Sequence, residues 1–139
     1  MRTRPDYYYD QSAVIPYRLR DGAVEVLTIT SRRRKRWIVP KGVREPDLTA
    51  AASAAKEALE EAGVEGQAAP ASLGSYSYEK WGGTCSVEVY AMRVTREHEH
   101  WLEDFRTREW VPLEKAAQRM QESDLQQIMS TLPEHIHAP

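Results

Sequence analysis

A single cysteine, Cys85, is present among 139 residues. One thiol excludes an internal disulfide framework and fits a reducing setting, so the expected compartment is cytoplasmic. Apolar runs are short, far from the roughly 20 residues that a spanning helix needs. The opening Met1-Arg2-Thr3-Arg4-Pro5 is followed by no apolar stretch, so no secretory leader is read there and no membrane partner is expected. No internal repeat or low-complexity linker divides the chain, and its length suits one compact domain with its own core.

Charge is nearly balanced, with 19 Lys and Arg against 21 Asp and Glu. Its distribution is not. Arg32-Arg33-Arg34-Lys35-Arg36 is a dense cationic block, with Lys41 and Arg44 just beyond it. Glu57, Glu60 and Glu61 form a dense anionic one. Two opposed clusters this close in sequence can together bind a polyanion bridged by metal ions.

Residues 1–12 are polar, carry three tyrosines and show no clear period, so they are expected to form an N-terminal arm. The domain is expected over 13–132 and a loose tail over 133–139. Ala13–Leu19 and Val24–Thr30 flank Asp21-Gly22, a hairpin signal. Trp37-Ile38-Val39 is a short strand stopped by Pro40. Thr49–Ala62 contains neither Gly nor Pro and reads as a helix, capped by Thr49 or Asp47 at its start and by Gly63 at its end. Leu73–Tyr78 and Thr84–Thr95 are strands around the turn Trp81-Gly82-Gly83. Arg108–Val111 is a further strand. Pro112 opens a helix to about Gln121, and Ser123 caps another to about Leu132. Mixed strands and helices predict an α/β fold with a central mixed sheet.

On a helix with about 100° per residue, Glu60 and Glu61 fall at about 300° and about 40° from Glu57, on one face. Ala52, Ala55, Leu59 and Ala62 fall opposite, which predicts that they seat the helix. Like charges at i, i+3 and i+4 repel, and a divalent cation relieves that conflict. Mg2+ prefers oxygen ligands: a few carboxylates, retained water and substrate phosphate. A solvated acidic face is the plain alternative.

The spacing from Gly42 through Lys56-Glu57-Ala58-Leu59-Glu60-Glu61-Ala62-Gly63-Val64 resembles the Nudix box of the Nudix hydrolases, G-x5-E-x7-R-E-U-x-E-E-x-G-U, with U aliphatic. Gly42, Glu57, Glu60, Glu61, Gly63 and Val64 match in register. Leu48 stands where the family has its first glutamate and Lys56 where it has arginine. In the family that pair chiefly supports the loop–helix geometry; Glu45 is placed to replace the missing carboxylate in part. Ser31–Gly66, with Arg36-Trp37-Ile38-Val39-Pro40-Lys41-Gly42 and Glu45-Pro46, and the later Arg108-Glu109-Trp110 and Leu113-Glu114-Lys115-Ala116, resemble the diphosphoinositol polyphosphate phosphohydrolase branch.

The resemblance implies a Nudix-like α/β/α sandwich and a Mg2+-dependent phosphoanhydride hydrolase, with Mn2+ as an alternative metal. It implies Glu57, Glu60 and Glu61 as ligands, with a backbone carbonyl near Lys41 or Gly42. A glutamate outside the box acts as base in some members; Glu103 is the candidate, with Glu97, Glu99 and Asp104 as rivals. Arg32, Arg34, Arg36, Lys41 and Arg108 are candidate phosphate-binding residues, since guanidinium forks match phosphate oxygens. The expected partner is a polyphosphorylated small molecule: a diphosphoinositol polyphosphate, a diadenosine polyphosphate or polyphosphate. A nucleotide sugar or an RNA 5′ end is the alternative substrate, and a non-catalytic nucleotide-binding module the alternative class. Nucleic acid as a stable partner is not expected, and the chain is expected as monomer or homodimer. Glu97-His98-Glu99-His100 lacks a third well-spaced ligand and reads as a solvated loop. His135 and His137 are assigned nothing specific. Cys85 reads as buried packing, and the tyrosines at 76 and 78 as packing before base stacking.

Overall fold

β1 (Asp10–Arg20) and β2 (Ala23–Thr30) form the expected hairpin, with Arg20 facing Ala23 across Asp21-Gly22. β3 (Trp37–Ile38) and β8 (Arg108–Pro112) both pair with β2. β6 (Gly74–Lys80) and β7 (Gly83–Glu97) make the second hairpin, Lys80 facing Gly83. β1 runs parallel to β7 and antiparallel to β2, so the sheet is mixed, as the sequence predicts. Every residue of β1 from Gln11 to Tyr17 is buried, because this central strand is covered on both faces.

The computed structural model describes residues 1–136; His137, Ala138 and Pro139 lie outside the described residues. Two strands go beyond the sequence reading. β4 (Lys41–Val43) resumes after Pro40 and pairs with Gln11–Ala13 of β1. β5 (Val64–Ala68) pairs with β7. Neither has the alternating β-branched pattern that marks a strand; both are imposed by the partner strand. The expected arm at 1–12 is also corrected. β1 starts at Asp10, and Asp6–Tyr9 is a 3-10 turn. The Tyr9 ring is buried and its hydroxyl donates to the Trp81 carbonyl at 2.6 Å. Thr3 N–H donates to the same carbonyl at 2.9 Å. Aromatic packing on the β6–β7 turn, not a hydrophobic period, fixes this segment.

α1 (Ala50–Ala62) covers one face of the sheet and α2 (Leu113–Arg119) with α3 (Ser123–Ser130) the other. Alternation along β1 sorts the two cores. Val14 joins Ala54, Ala58 and Ala62, whereas Ala13, Ile15 and Tyr17 join Leu113, Ala116, Leu125 and Met129. α3 ends at Ser130, close to the expected end at about Leu132, and the expected loose tail begins instead as a short 3-10 turn, Leu132–His135; Glu122 takes the N-cap position expected of Ser123. Among the described residues no helix is long and apolar enough to cross a membrane.

The caps of α1 follow the sequence. Thr49 Oγ1 accepts from Ala52 N–H at 3.1 Å, and Gly63 takes the left-handed conformation at φ 68°. The seated face does not follow it. Ala54, Ala58 and Ala62 are fully buried, while Leu59 is 38% exposed. An i, i+4 stripe of alanines lets the helix lie close to the sheet, which a leucine would prevent. The buried arc is thus rotated toward the carboxylates, and Glu61 is carried inside at 7% exposure.

Candidate active site

Gly42 and Glu57 meet at the closest approach of β4 and α1. A Cβ added at Gly42 would sit 2.5 Å from the Glu57 carboxyl carbon, so only glycine leaves room for that side chain. On the same helix face, one turn later, the Glu61 carboxyl donates a hydrogen bond to Glu57. Burial, the bond to Glu57 and the Glu57 charge push the Glu61 carboxyl up to about 9. Burial also raises Glu57, and the charges of Glu60 and Glu103 raise it further. Both carboxyls are thus held back from ionising, which marks a place where positive charge is wanted.

Four carbonyls at the end of a helix lack helical partners. In α1 each of them is satisfied, three of them by the segment after β7. Leu59 O accepts from Gly63 N–H at 3.1 Å and Glu60 O from Glu103 N–H at 2.9 Å. Glu61 O accepts from Trp101 Nε1 at 3.0 Å and Ala62 O from an Arg108 guanidinium nitrogen at 2.9 Å. The segment 98–108 is therefore fixed to the turn that carries Glu60 and Glu61. This placement separates Glu103 from its rivals. Its charge reaches both Glu57 and Glu61, whereas Glu97 is engaged with Arg108 at 3.4 Å and Trp110 at 3.2 Å. Glu99 and Asp104 are exposed.

Arg108 departs from its expected role. Its guanidinium serves Ala62 O and His98 O, pairs with Glu97 and lies over the Trp101 ring at 4.0 Å. It closes the end of α1, with most of its donors engaged inside the protein. Arg106 is the residue the sequence reading underweighted. It is 7% exposed, holds Glu103 Oε1 at 2.8 Å and the Thr30 carbonyl at 2.9 Å, and its charge opposes the rise of the Glu61 pKa. Local sequence offers it Glu103, three residues earlier, but not the Thr30 carbonyl of β2 that buries it at the site.

The basic block is only partly free. Arg36 pairs with Glu122 at 3.2 Å, and Arg34 donates to the Phe105 carbonyl. Arg32 stands 3.6 Å from Glu103 with its side chain 72% exposed. Lys41 turns its side chain away from α1: Nζ donates to Tyr78 Oη at 2.9 Å, while its backbone N–H donates to Glu61 Oε1 at 3.4 Å. The supporting pair lost at Leu48 is replaced as expected. Lys56 Nζ binds Glu45 Oε1 at 2.8 Å, and Glu45 N–H donates to Ser53 Oγ at 3.1 Å. The Glu97–His100 tract gathers no ligand set: His98 Nε2 faces Glu65 at 2.5 Å, and Glu99 and His100 are exposed.

Among the described residues no three His, Cys, Asp or Glu side chains form a ready-made metal cage. Mg2+ does not need one, since it takes one or two carboxylates, retained water and substrate phosphates. The residues present fit such an ion. The donor set is all oxygen, two of its carboxyls are held back from ionising, and a buried hydroxyl lies on the same face. Ser12 Oγ is fully buried with no partner among the described residues. Ser12 lies directly opposite Gly42 in the antiparallel pair, so its side chain shares the face on which Glu57 lies.

Residues 10–132 match the NUDIX domain family. Nudix hydrolase 21 of Arabidopsis thaliana is 34% identical over 83% of this chain and 61% of its own length. Diphosphoinositol polyphosphate phosphohydrolase 3-beta of Bos taurus is 31% identical over 84% of this chain and 72% of its own. The crystal structure of the Caenorhabditis elegans Ap4A hydrolase superposes with a TM-score of 0.75 at 19% identity, covering 92% of this chain and 98% of that one; this likeness concerns the fold. The chain spans about three fifths of the plant relatives it matches. With the box residues gathered at one point and the domain matched from β1 through α3, the chain belongs to the Nudix family.

Proposed function

We propose that this chain hydrolyses a phosphoanhydride in a highly phosphorylated small molecule, using Mg2+ or, as an alternative, Mn2+. The observation that carries the reading is the packing of the Glu57 carboxyl against Gly42 of β4, with Glu61 buried one turn further along the same helix face. Glu57, Glu60 and Glu61 would hold the metal, with the Gly42 carbonyl as a further ligand. Such an ion, when bound, neutralises charge on the phosphates and lowers the pKa of water.

The protein's own groups supply position. Gly42 lets the Glu57 carboxylate approach β4, and the alanine stripe fixes the height of α1 over the sheet. Arg106 orients Glu103, which accepts the proton of the attacking water as general base. Arg32, exposed beside Glu103, binds phosphate oxygens next to the bond that is cut, and Lys41, whose side chain passes to the other face of β4, binds those farther from it. In-line displacement at phosphorus asks the protein mainly for alignment and electrostatic stabilisation. The cytoplasm, expected from the lone thiol, belongs to the same proposal.

A phosphate-release assay with Mg2+, and with EDTA as control, tests it. The panel is a diphosphoinositol polyphosphate, a diadenosine polyphosphate, inorganic polyphosphate, a nucleotide sugar and a 5′-triphosphorylated RNA. Metal-dependent release is expected, fastest from the first three. Preference for the last two overturns the substrate class; tight binding with no release from any of them overturns the enzyme reading in favour of a binding module.

A further inference from the structure

β4 presents its two faces differently. Gly42 opens toward α1 and the carboxylates, while the Lys41 side chain passes to the other face and reaches Tyr78 on β6. Tyr78 is held in place from behind, its hydroxyl donating to Gln11 Oε1 at 2.8 Å. Two residues further along the same face of β6 stands Lys80, one strand repeat of about 6–7 Å away. Lys80 Nζ lies 4.5 Å from the centre of the Trp81 ring, and the Arg4 guanidinium 5.7 Å from the same ring. Trp81 is fixed in turn by the Thr3 and Tyr9 bonds to its carbonyl.

Among the described residues no carboxylate lies within ion-pair distance of Lys41, Lys80 or Arg4. This sets them apart from Arg2, which pairs with Asp6 at 3.1 Å, and from Arg36, which pairs with Glu122. The cations are also close to one another. Lys80 is held below its ordinary value first by burial and then by the charges of Lys41, Arg32 and Arg4. Mutual repulsion is retained in the fold although acidic residues outnumber basic ones in the chain. An anion seated among them removes it. The Trp81 ring, already carrying Lys80 and Arg4 and meeting Tyr8 edge-on at 5.4 Å, orders the cations rather than offering a face to a base.

We infer that Lys80 and Arg4, continuing from Lys41 and Arg32, form an anion subsite that binds phosphoryl groups of the substrate remote from the bond that is cut. The inference rests on the phosphoanhydride reading above and names two residues that the family motif does not contain. It assigns to the N-terminal segment and the β6–β7 turn the task of selecting substrates by their number of phosphates.

Inorganic tripolyphosphate in EDTA is the probe, with binding measured by calorimetry. The double variant Lys80→Ala, Arg4→Ala is compared with wild type, with Lys80→Arg, and with a charge-matched control, Arg20→Ala, Lys115→Ala. Two charged hydrogen bonds lost predict binding weaker by about tenfold or more in the double variant. Lys80→Arg and the control are expected within about twofold of wild type. Equal weakening in the test and control pairs, or no binding by wild type, overturns the subsite. Melting curves check that each variant folds; if the double variant does not, Lys80→Gln alone replaces it against the same criteria. Binding in EDTA needs no turnover, so the two readings fail separately. An inert protein that binds through Lys80 loses the proposed activity and keeps the subsite. An active enzyme whose binding ignores Lys80 does the reverse.

Discussion

The two charge clusters that stand out in this chain meet opposite fates on folding. In the basic block, Arg36 finds Glu122 and Arg34 finds the Phe105 carbonyl, while Arg32, Arg33 and Lys35 stay exposed to water. In α1, Glu57 and Glu61 are packed together and kept from full ionisation. A dense run of like charge is weak evidence of a site, because a fold neutralises most such runs with partners of its own. Charge that the fold leaves uncompensated, at the expense of its own stability, is stronger evidence.

The most forceful way to break this comparison is to remove the uncompensated charge. Glu60→Gln and Glu61→Gln should each lower kcat by about 1000-fold or more, since a lost metal ligand forfeits several kcal/mol of charge stabilisation, with circular dichroism unchanged. Near-native rates in both with Mg2+ present would sink the metal assignment. Gly42→Ala comes next. Its methyl group would displace Glu57, and a misplacement of about 1 Å costs about 100-fold in rate; a rate within threefold of wild type would show that the close approach is dispensable. The basic block should respond unevenly. Arg32→Ala is expected to raise KM by about fivefold to tenfold, while Arg36→Ala, which breaks an internal ion pair, should act chiefly on melting temperature. Equal KM effects would restore the block as one undivided phosphate grip.

The smallest effect is a dependence on pH. Glu61 in the unfolded chain loses its proton near the ordinary 4.5, but in the folded chain it holds it to about 9. Between those values the native state carries the extra proton, so stability falls as pH rises through the window. A divalent cation takes the place of that proton. The rise in melting temperature on adding Mg2+ should therefore be near zero at pH 4.5 and grow toward pH 9, reaching several degrees at saturation. A rise independent of pH would dissociate the ion from Glu61.

Much of this was legible in the sequence, for identifiable reasons. Thr49 and Gly63 cap α1 through local geometry, and Asp21-Gly22 turns the β1–β2 hairpin. The box register singled out Gly42 and Glu57, which the fold packs together. What was not legible depends on distant partners. The seated face of α1 was misread because a wheel ranks residues by hydropathy, whereas close packing on the sheet selected the small side chains Ala54, Ala58 and Ala62 over Leu59. The internal contacts of Arg108 were not legible because its acceptors are main-chain carbonyls of Ala62 and His98, which no side-chain pattern records. Tyr9 and the N-terminal turn were missed because their partner is the Trp81 carbonyl.

The hold that segment 98–108 keeps on the last turn of α1 also bears on timing. Enzymes that open and close around substrate commonly do so on microsecond-to-millisecond scales, and such motion often limits turnover. Here a swing of that segment would unhook the carbonyls of Glu60, Glu61 and Ala62 together. The wall bearing Glu103 and the turn bearing the carboxylates thus keep one clock.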